Sequence, residues 1–344
     1  MRKTFHQYFR PDDQTLNQLW QQGLFSFDAS VLLNLYGYSK KTRDELVTIF
    51  EENAARVRLP YQFGLEYARN RSTVIVKQVN NCFKVEESLR KVQREIEAKH
   101  DHPFLTKKST RAYKAILKEL EDSRHAMERL VGHDPYAEKL FSIFEGRVGK
   151  CPSTEELVKL EDEAQQRFSK LTPPGFADVK EKAAAAAGDY IGWAQLMDIS
   201  KSEGKGMILV TDDFKEDWWL VERERNLGPR PELLEEFFQV TKQPFFMYSS
   251  ESFLRYAKEF MASQIRDEVI EEVSLRLASQ RESEQADALK PVSVDKPPSE
   301  VPKATAPSEE KATESKPQSI PDSEPGAKKV AQETEVKREA SNGG

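Results

Sequence analysis

The sequence has little cysteine, no long apolar run and no glycine-rich phosphate loop, and each shortage excludes a class of protein. Its 344 residues include two cysteines, Cys82 and Cys151, which form neither a disulfide framework nor a metal-binding spacing, so we expect a protein of the reducing cytoplasm. No apolar run approaches the length that spans a membrane, and the first residues lack the apolar segment of a secretion signal. No glycine-rich turn follows a strand, which argues against a nucleotide-binding module, and the five histidines show no metal-binding spacing.

The composition is that of a globular chain with an unusual end. The formal net charge is −6 and 38% of the residues are hydrophobic. Net acidity argues mildly against nonspecific nucleic-acid binding, although a partner meets a local surface rather than the net charge. The segment 283–344 is rich in Pro, Ser, Glu and Lys and contains no Phe, Trp or Tyr. Because such a segment cannot bury enough apolar surface to offset its ordering entropy, we predict a disordered tail that is dispensable for activity.

Short apolar runs alternate with helical patterns in the rest of the chain. The runs predicted to be strands are 24–27, 56–60, 206–210 and 244–249. Helical patterns lie between them, for example at 39–54 and 231–240. This alternation predicts an α/β fold with a parallel sheet, and the continuous apolar strands indicate that helices cover both faces.

The middle of the sequence follows a different pattern. Residues 84–170 contain almost no strand-like run, and their apolar residues recur at helical spacing, which predicts an insertion of two or three helices. A last helix is predicted from about Glu251 to about Arg281. The predicted organisation is a first domain part, a helical insertion, a second domain part, a C-terminal helix and a tail, at 1–83, 84–170, 171–262, 263–282 and 283–344.

Five acidic residues are predicted to meet at one edge of the sheet. Asp28 follows the first strand, Asp212 and Asp213 follow the run at 206–210, Glu66 lies early in a helix, and Asp189 begins another helix. Ligands of open parallel sheets bind beyond the carboxyl ends of the strands. Clustered carboxylates repel one another, and a divalent cation removes that conflict. The pattern therefore predicts one or two Mg²⁺ or Mn²⁺ ions that act on a phosphodiester.

The same acids are also compatible with three alternatives. An aspartate after a strand is often only a turn residue or a helix N-cap. A haloacid-dehalogenase-type phosphatase also places an aspartate after its first strand, but it usually has a second aspartate where this chain has Ser30. A receiver-like domain would bring an acidic pair near the first strand, where only Asp28 is present.

Four segments in chain order resemble the successive motifs of the PIN-like nuclease superfamily, above all its bacterial family with a long helical insertion. These segments are FDASVLLNLYGYSKKTRDEL, LPYQFGLEYARNR, GDYIGWAQLM and ILVTDDFKEDWW. The resemblance covers roughly residues 20–83 and 171–260. It implies a three-layer α/β/α sandwich that cuts RNA or flap-like DNA with Mg²⁺ or Mn²⁺. RNA is the favoured substrate.

The resemblance also implies roles for individual residues. It assigns catalysis and metal binding to four acids, Asp28, Glu66, Asp189 and Asp213. Ser30 is the hydroxyl companion of the first acid, and Thr211 the neighbour of the last. Asp212 occupies the variable position of the motif and would bind the metal or support it from behind. Asn34 flanks the same predicted site.

Basic residues at two places could bind the phosphates of a substrate. Arg69 and Arg71 follow Glu66 on its helix, and the alternative for them is a structural salt bridge. A second group lies at helical spacing in the insertion and comprises Lys107, Arg111, Lys114 and Lys118, which we call the basic ridge. The alternative for the basic ridge is an ordinary solvated helix face.

Two further hypotheses concern aromatic residues and partners. Trp193, Trp218 and Trp219 could stack on bases, although their positions favour the hydrophobic core. The main alternative to a nuclease is a non-catalytic scaffold that binds nucleic acid or protein through the insertion. The insertion or the C-terminal helix could also mediate self-association.

Overall fold

Three short parallel strands form the centre of the fold, and helices lie on both faces. The computed structural model describes residues 1, 4–97, 106–177, 187–223, 225–261 and 263–288. The strands are β1 (Leu24–Phe27), β2 (Met207–Val210), β3 (Trp219–Glu222), β4 (Arg225–Pro229) and β5 (Phe245–Tyr248). The first six helices are α1 (Asp13–Gln22), α2 (Ala29–Asn34), α3 (Lys40–Glu52), α4 (Tyr61–Glu97), α5 (Lys107–Gly132) and α6 (Pro135–Phe144). The remaining helices are α7 (Thr154–Ser169), α8 (Ala187–Glu203), α9 (Pro231–Thr241), α10 (Ser250–Phe260) and α11 (Asp267–Ala288).

The parallel sheet has the order β1-β2-β5, and its register aligns the strand ends. Phe27, the last residue of β1, pairs with Val210, the last of β2, which in turn pairs with Tyr248. Three of the four predicted strands are therefore confirmed. The fourth, at 56–60, is reduced to isolated bridges, because Val57 pairs with β1 whereas Leu59 pairs with Val148 outside the sheet.

Aromatic side chains cover both faces of this sheet. On one face the Trp20 ring of α1 lies 5.6 Å from Phe25 and 5.3 Å from Phe253 of α10. On the other face the Trp193 ring of α8 lies 5.2 Å from Phe245 of β5. Every residue of β1 and β2 is buried, as expected for strands that are covered on both sides. The predicted α/β fold class is confirmed.

The helical insertion is continuous with the domain that carries it. α4 runs without interruption from Tyr61 to Glu97, since the stretch from Arg69 onward contains neither Gly nor Pro, so the predicted boundary between residues 83 and 84 falls inside one helix. α5 packs along α4, and Arg124 donates to Glu86 across the pair at 3.1 Å. α6 was not separated from its neighbours by the sequence pattern, because the break before it is only two residues long.

The C-terminal part differs from the prediction in two respects. Two helices, α10 and α11, replace the single predicted helix from Glu251 to Arg281. The apolar spacing continues through the break, but Arg266 in the break is held by Glu45 of α3, with a hydrogen bond of 2.8 Å to its backbone N–H. The predicted boundary at 282/283 is also wrong, because α11 continues to Ala288, and the rest of the predicted tail lies outside the described residues. Among the described residues, no helix combines the length and the apolar character that a membrane span requires.

Candidate active site

The carboxyl ends of β1 and β2 bring Asp28 and the segment after β2 together. The Asp28 backbone N–H donates to the carbonyl of Val210 at 2.9 Å, which extends the pairing by one residue. Its Oδ1 accepts from the Ala29 backbone N–H at 2.6 Å and so caps the N-terminus of α2. Asp28 is therefore a helix N-cap, the first of the alternatives, and it also lies at the edge where ligands of parallel sheets bind.

Two hydroxyl groups link Asp28 to the residues that follow β2. Ser30 Oγ and Thr211 Oγ1 donate to Asp28 Oδ2 at 2.7 and 2.9 Å. The same two oxygens accept from the backbone N–H groups of Asp212 and Asp213, both at 3.1 Å. Ser30 and Thr211 thus hold the two acidic loops in one arrangement.

The environment of Asp28 disfavours its charge. Burial raises the pKa of the Asp28 carboxyl above its ordinary value, and the nearby negative charge of Asp213 raises the pKa further. The hydrogen bonds from Ser30, Thr211 and Ala29 oppose this rise but do not cancel it. A positive charge beside Asp28 would therefore be bound favourably.

A lysine that the sequence analysis missed lies between two of the predicted acids. Lys215 Nζ is 2.6 Å from Asp213 Oδ2 and 3.8 Å from Asp189 Oδ2, and Asp189 stands in the first turn of α8. The Lys215 ammonium thus supplies a positive charge between the carboxylates of two separate elements. Its position two residues after the acidic pair was the one signal in the sequence.

Glu66 reaches the same neighbourhood from α4. Its Oε1 accepts from Gln62 Nε2 at 2.6 Å. A Cβ atom on Gly188 would lie only 2.6 Å from Glu66 Oε1, so the Glu66 carboxylate closely approaches the start of α8. Gly188 directly precedes Asp189, so Glu66 approaches the same turn of α8 that carries Asp189.

Asp212 has a different position from the other acids. Its side chain is buried, and its two oxygens accept from the backbone N–H of Ser250 at 2.9 Å, from Ser250 Oγ at 2.8 Å and from Asn34 Nδ2 at 2.9 Å. Burial is the main cause that raises its pKa. Asp212 connects the end of β2 to the start of α10, and this use of both oxygens fits the supporting role, the second of the two roles expected for it.

The Asp213 loop is further fixed by Trp219 and by Asp217, a residue that the sequence analysis did not single out. Trp219 Nε1 donates to the Asp213 carbonyl at 2.6 Å. Asp217 is fully buried and accepts from the backbone N–H groups of Gly175 and Ala177 at 2.7 and 3.2 Å. The three tryptophans predicted to favour the core, Trp193, Trp218 and Trp219, are all buried, which confirms that part of the prediction.

The two predicted phosphate-binding arginines have different surroundings. Arg71 Nη1 donates at 2.6 Å to Asp134, which Tyr36 also contacts at 2.6 Å and which caps α6 through two backbone N–H groups. Arg71 therefore takes part in a structural ion pair, but with Asp134 rather than with the clustered acids. Arg69 is exposed one turn after Glu66.

The basic ridge lies far along the insertion. All four of its side chains are exposed on α5. Tyr113 of α5 contacts the carbonyl of Leu89 on α4. At 1.5 Å per residue, Leu89 is about 35 Å along α4 from Glu66. The ridge is therefore remote from the acids at the strand ends.

Comparison with known proteins identifies a family for this chain. A family model described as "PIN like domain" matches residues 24–233, which include β1, β2 and all five of the predicted acids. No curated protein and no solved structure matches the chain. Within the described ranges, no group of three or more His, Cys, Asp or Glu side chains is arranged to hold a metal ion.

Proposed function

The chain belongs to the PIN-like domain family of the nuclease superfamily, and from this premise we propose that it is a metal-dependent nuclease that cuts RNA in preference to DNA. The observation that carries the proposal is a contact chain. It runs from Asp28 through Thr211 to the backbone of Asp213, and from the Asp213 carboxylate through the Lys215 ammonium to Asp189. It joins two acids that follow β1 and β2 to a third acid in the first turn of α8. The family match argues against the alternative of a haloacid-dehalogenase-type phosphatase.

The chemistry of these donors fits a hard divalent cation. Carboxylate oxygens are the ligands that Mg²⁺ and Mn²⁺ prefer. Burial and Asp213 raise the pKa of Asp28, and a nearby cation would oppose this rise by favouring the ionised carboxylate. Asp28, Asp189 and Asp213 would hold the ion, with Glu66 close to the turn of α8 that carries Asp189. When bound, such an ion lowers the pKa of water and stabilises the leaving oxygen of a phosphodiester.

The side chains of the chain itself prepare this site. Ser30 and Thr211 orient the Asp28 carboxylate, and their second hydrogen bonds keep the following loop beside it. Lys215 offsets the repulsion between Asp213 and Asp189, and its ammonium is placed to contact a phosphate oxygen of a bound strand. Asp212 acts as a support through Ser250 and Asn34 rather than as a ligand.

One observation favours a second candidate function. The single positive charge of Lys215 already lies between the carboxylates of Asp213 and Asp189, and the described acids do not close around one metal position. A PIN-like scaffold that binds nucleic acid or protein without cutting would not need acids arranged around a metal ion. Metal-dependent cleavage distinguishes the two functions.

The test is cleavage of end-labelled RNA and DNA oligonucleotides with Mn²⁺, Mg²⁺ or EDTA. We expect the wild type to cut RNA with either metal and to be inactive in EDTA, and Asp28→Asn to be inactive under all conditions. Asp122→Asn on α5 is the matched control, because Asp122 is exposed and remote from the sheet, and it should cut like the wild type. A metal-induced rise in melting temperature that Asp28→Asn lacks would locate the ion. Cleavage that survives in Asp28→Asn, or a wild type that never cuts, would refute the proposal.

A further inference from the structure

A groove of about 800 Å³ lies between α4 and α11 and opens beside Asp213 and Lys215. One wall comes from α4. The other comes from α11, which begins at Asp267 and so lies outside the residues 24–233 that the family model matches. A helix beyond the matched region therefore lines a cavity that leads to the proposed catalytic acids.

α11 is held firmly against the domain that carries the acids. Its inner face is apolar and buried at Val269, Ile270, Val273 and Leu277. Arg276 Nη1 donates to the Gly37 carbonyl at 3.1 Å, and a Cβ atom on Gly37 would lie 1.8 Å from the Arg276 guanidinium, so the helix approaches closely there. The wall formed by α11 is thus part of the folded domain.

α11 also contacts the loops that carry the acids. Gln280 Nε2 donates to Asn34 Oδ1 at 2.8 Å, and Asn34 in turn donates to Asp212. The Arg281 guanidinium lies 3.6 Å from the centre of the ring of Phe214, the residue directly after Asp213. These contacts set the distance between the α11 wall and the strand ends.

The lining of the groove away from the acids is rich in amides and hydroxyls. The residues that matter are Gln78 and Asn81 of α4 and Ser279, Gln280 and Ser283 of α11. Amide and hydroxyl groups both donate and accept hydrogen bonds, which matches the mixed edges of nucleic-acid bases and the ribose 2′-hydroxyl. Lys77 and Lys215, also in the lining, carry the positive charge that phosphates require. In RNA, sequence-specific contacts of this kind are made mostly to unpaired bases.

We infer that this groove binds a single-stranded stretch of RNA next to the phosphate that is cut, with α11 reading its bases and 2′-hydroxyls. The inference rests on the proposed nuclease function, which supplies the acids at one end of the groove. Substrate selectivity then depends on a helix outside the matched family region, whereas the basic ridge of the insertion contributes only distant phosphate contacts.

The inference is tested by fluorescence anisotropy of labelled RNA oligonucleotides in EDTA, where binding is measured without cleavage. Gln78→Ala/Asn81→Ala removes two amides from the groove, and Ser279→Ala/Ser283→Ala removes two hydroxyls from the other wall. We expect each double variant to bind single-stranded RNA about tenfold more weakly, as the loss of two hydrogen bonds implies. Asn80→Ala is the matched control, since Asn80 is an exposed amide of α4 outside the groove lining, and it should bind like the wild type.

Two further measurements, the salt dependence of binding and the affinity for DNA, distinguish binding in the groove from contacts to phosphates elsewhere. The slope of log affinity against log salt should stay unchanged in the groove variants, because no phosphate contact is lost. DNA of the same sequence should bind more weakly than RNA. Unchanged RNA affinity in both double variants would show that the groove is not the RNA-binding site. Equal affinity of the wild type for RNA and DNA would contradict the assignment of RNA as the ligand. A wild type that binds RNA through the groove but never cuts it would instead refute the nuclease proposal.

Discussion

Replacement of Arg71 by alanine should destabilise the fold rather than weaken substrate binding. The Asp134 side chain is 4% exposed, and its Oδ2 lies 2.6 Å from Arg71 Nη1. Removal of one partner of a buried ion pair typically costs about 3–5 kcal/mol, because it leaves the other charge uncompensated. Asp134 keeps its three other hydrogen-bond donors and the Arg71 side chain is 22% exposed, so we expect a smaller loss of unfolding free energy, about 2–3 kcal/mol.

Thermal unfolding followed by circular dichroism measures this loss. In a domain of this size each kcal/mol shifts the melting temperature by about 2–4 °C, so Arg71→Ala should melt about 4–12 °C below the wild type. Arg69→Ala, a change of an exposed arginine two residues away, should melt like the wild type. A double-mutant cycle with Asp134→Ala gives the interaction energy between Arg71 and Asp134. If Arg71→Ala melts like the wild type but binds RNA more weakly, then Arg71 acts on the substrate and the structural reasoning is wrong.

Three further predictions concern pH, the end of the chain and the basic ridge. Because burial raises the pKa of Asp28 in the fold, its ionisation costs stability as pH rises from the unfolded value of about 3.9 through the folded pKa. The melting temperature of Asp28→Asn relative to the wild type should therefore rise with pH in melts from pH 3 to 8, and a difference independent of pH would contradict this. Truncation after residue 288 should preserve cleavage, whereas truncation after residue 266 should abolish it. The dispensable segment therefore begins after residue 288 rather than after residue 282, since α11 continues to Ala288 and Ser283 lines the groove. Equal activity of both truncated proteins would contradict the role of α11. Alanine at all four ridge positions should lower the salt slope by about 0.7–0.9 per lost contact and leave the rate at saturating RNA unchanged. An unchanged slope in binding titrations would mean that the ridge is a solvated face.

The sequence was sufficient for features that depend on local pattern. The runs that became β1, β2 and β5 are short, apolar and bounded by turn residues, and strands buried on both faces require this composition. Once three parallel strands were predicted, Asp28 and Asp213 had to lie near one edge, because parallel strands end together. Helix periodicity also located α3, α5, α7 and α9, since each buries one face.

Several features instead followed from tertiary contacts that leave no periodic signal. The apolar spacing continues from α10 into α11, so the break between them is decided by the contact of Arg266 with Glu45 on α3. The predicted strand at 56–60 shrank to bridges because Leu59 found a partner at Val148. In both cases a residue distant in the sequence competes with the local preference.

The roles of charged residues divide in the same way. Their residue types and spacing were enough to propose an acidic site at the strand ends, because a strand end is a local feature. Which carboxylate accepts from Ser250, which arginine pairs with Asp134, and which lysine lies between Asp213 and Asp189 depended on the three-dimensional arrangement. A side-chain hydrogen bond or ion pair requires its two partners within about 3–4 Å, and for residues far apart in the chain only the packing of the helices on the sheet determines that distance.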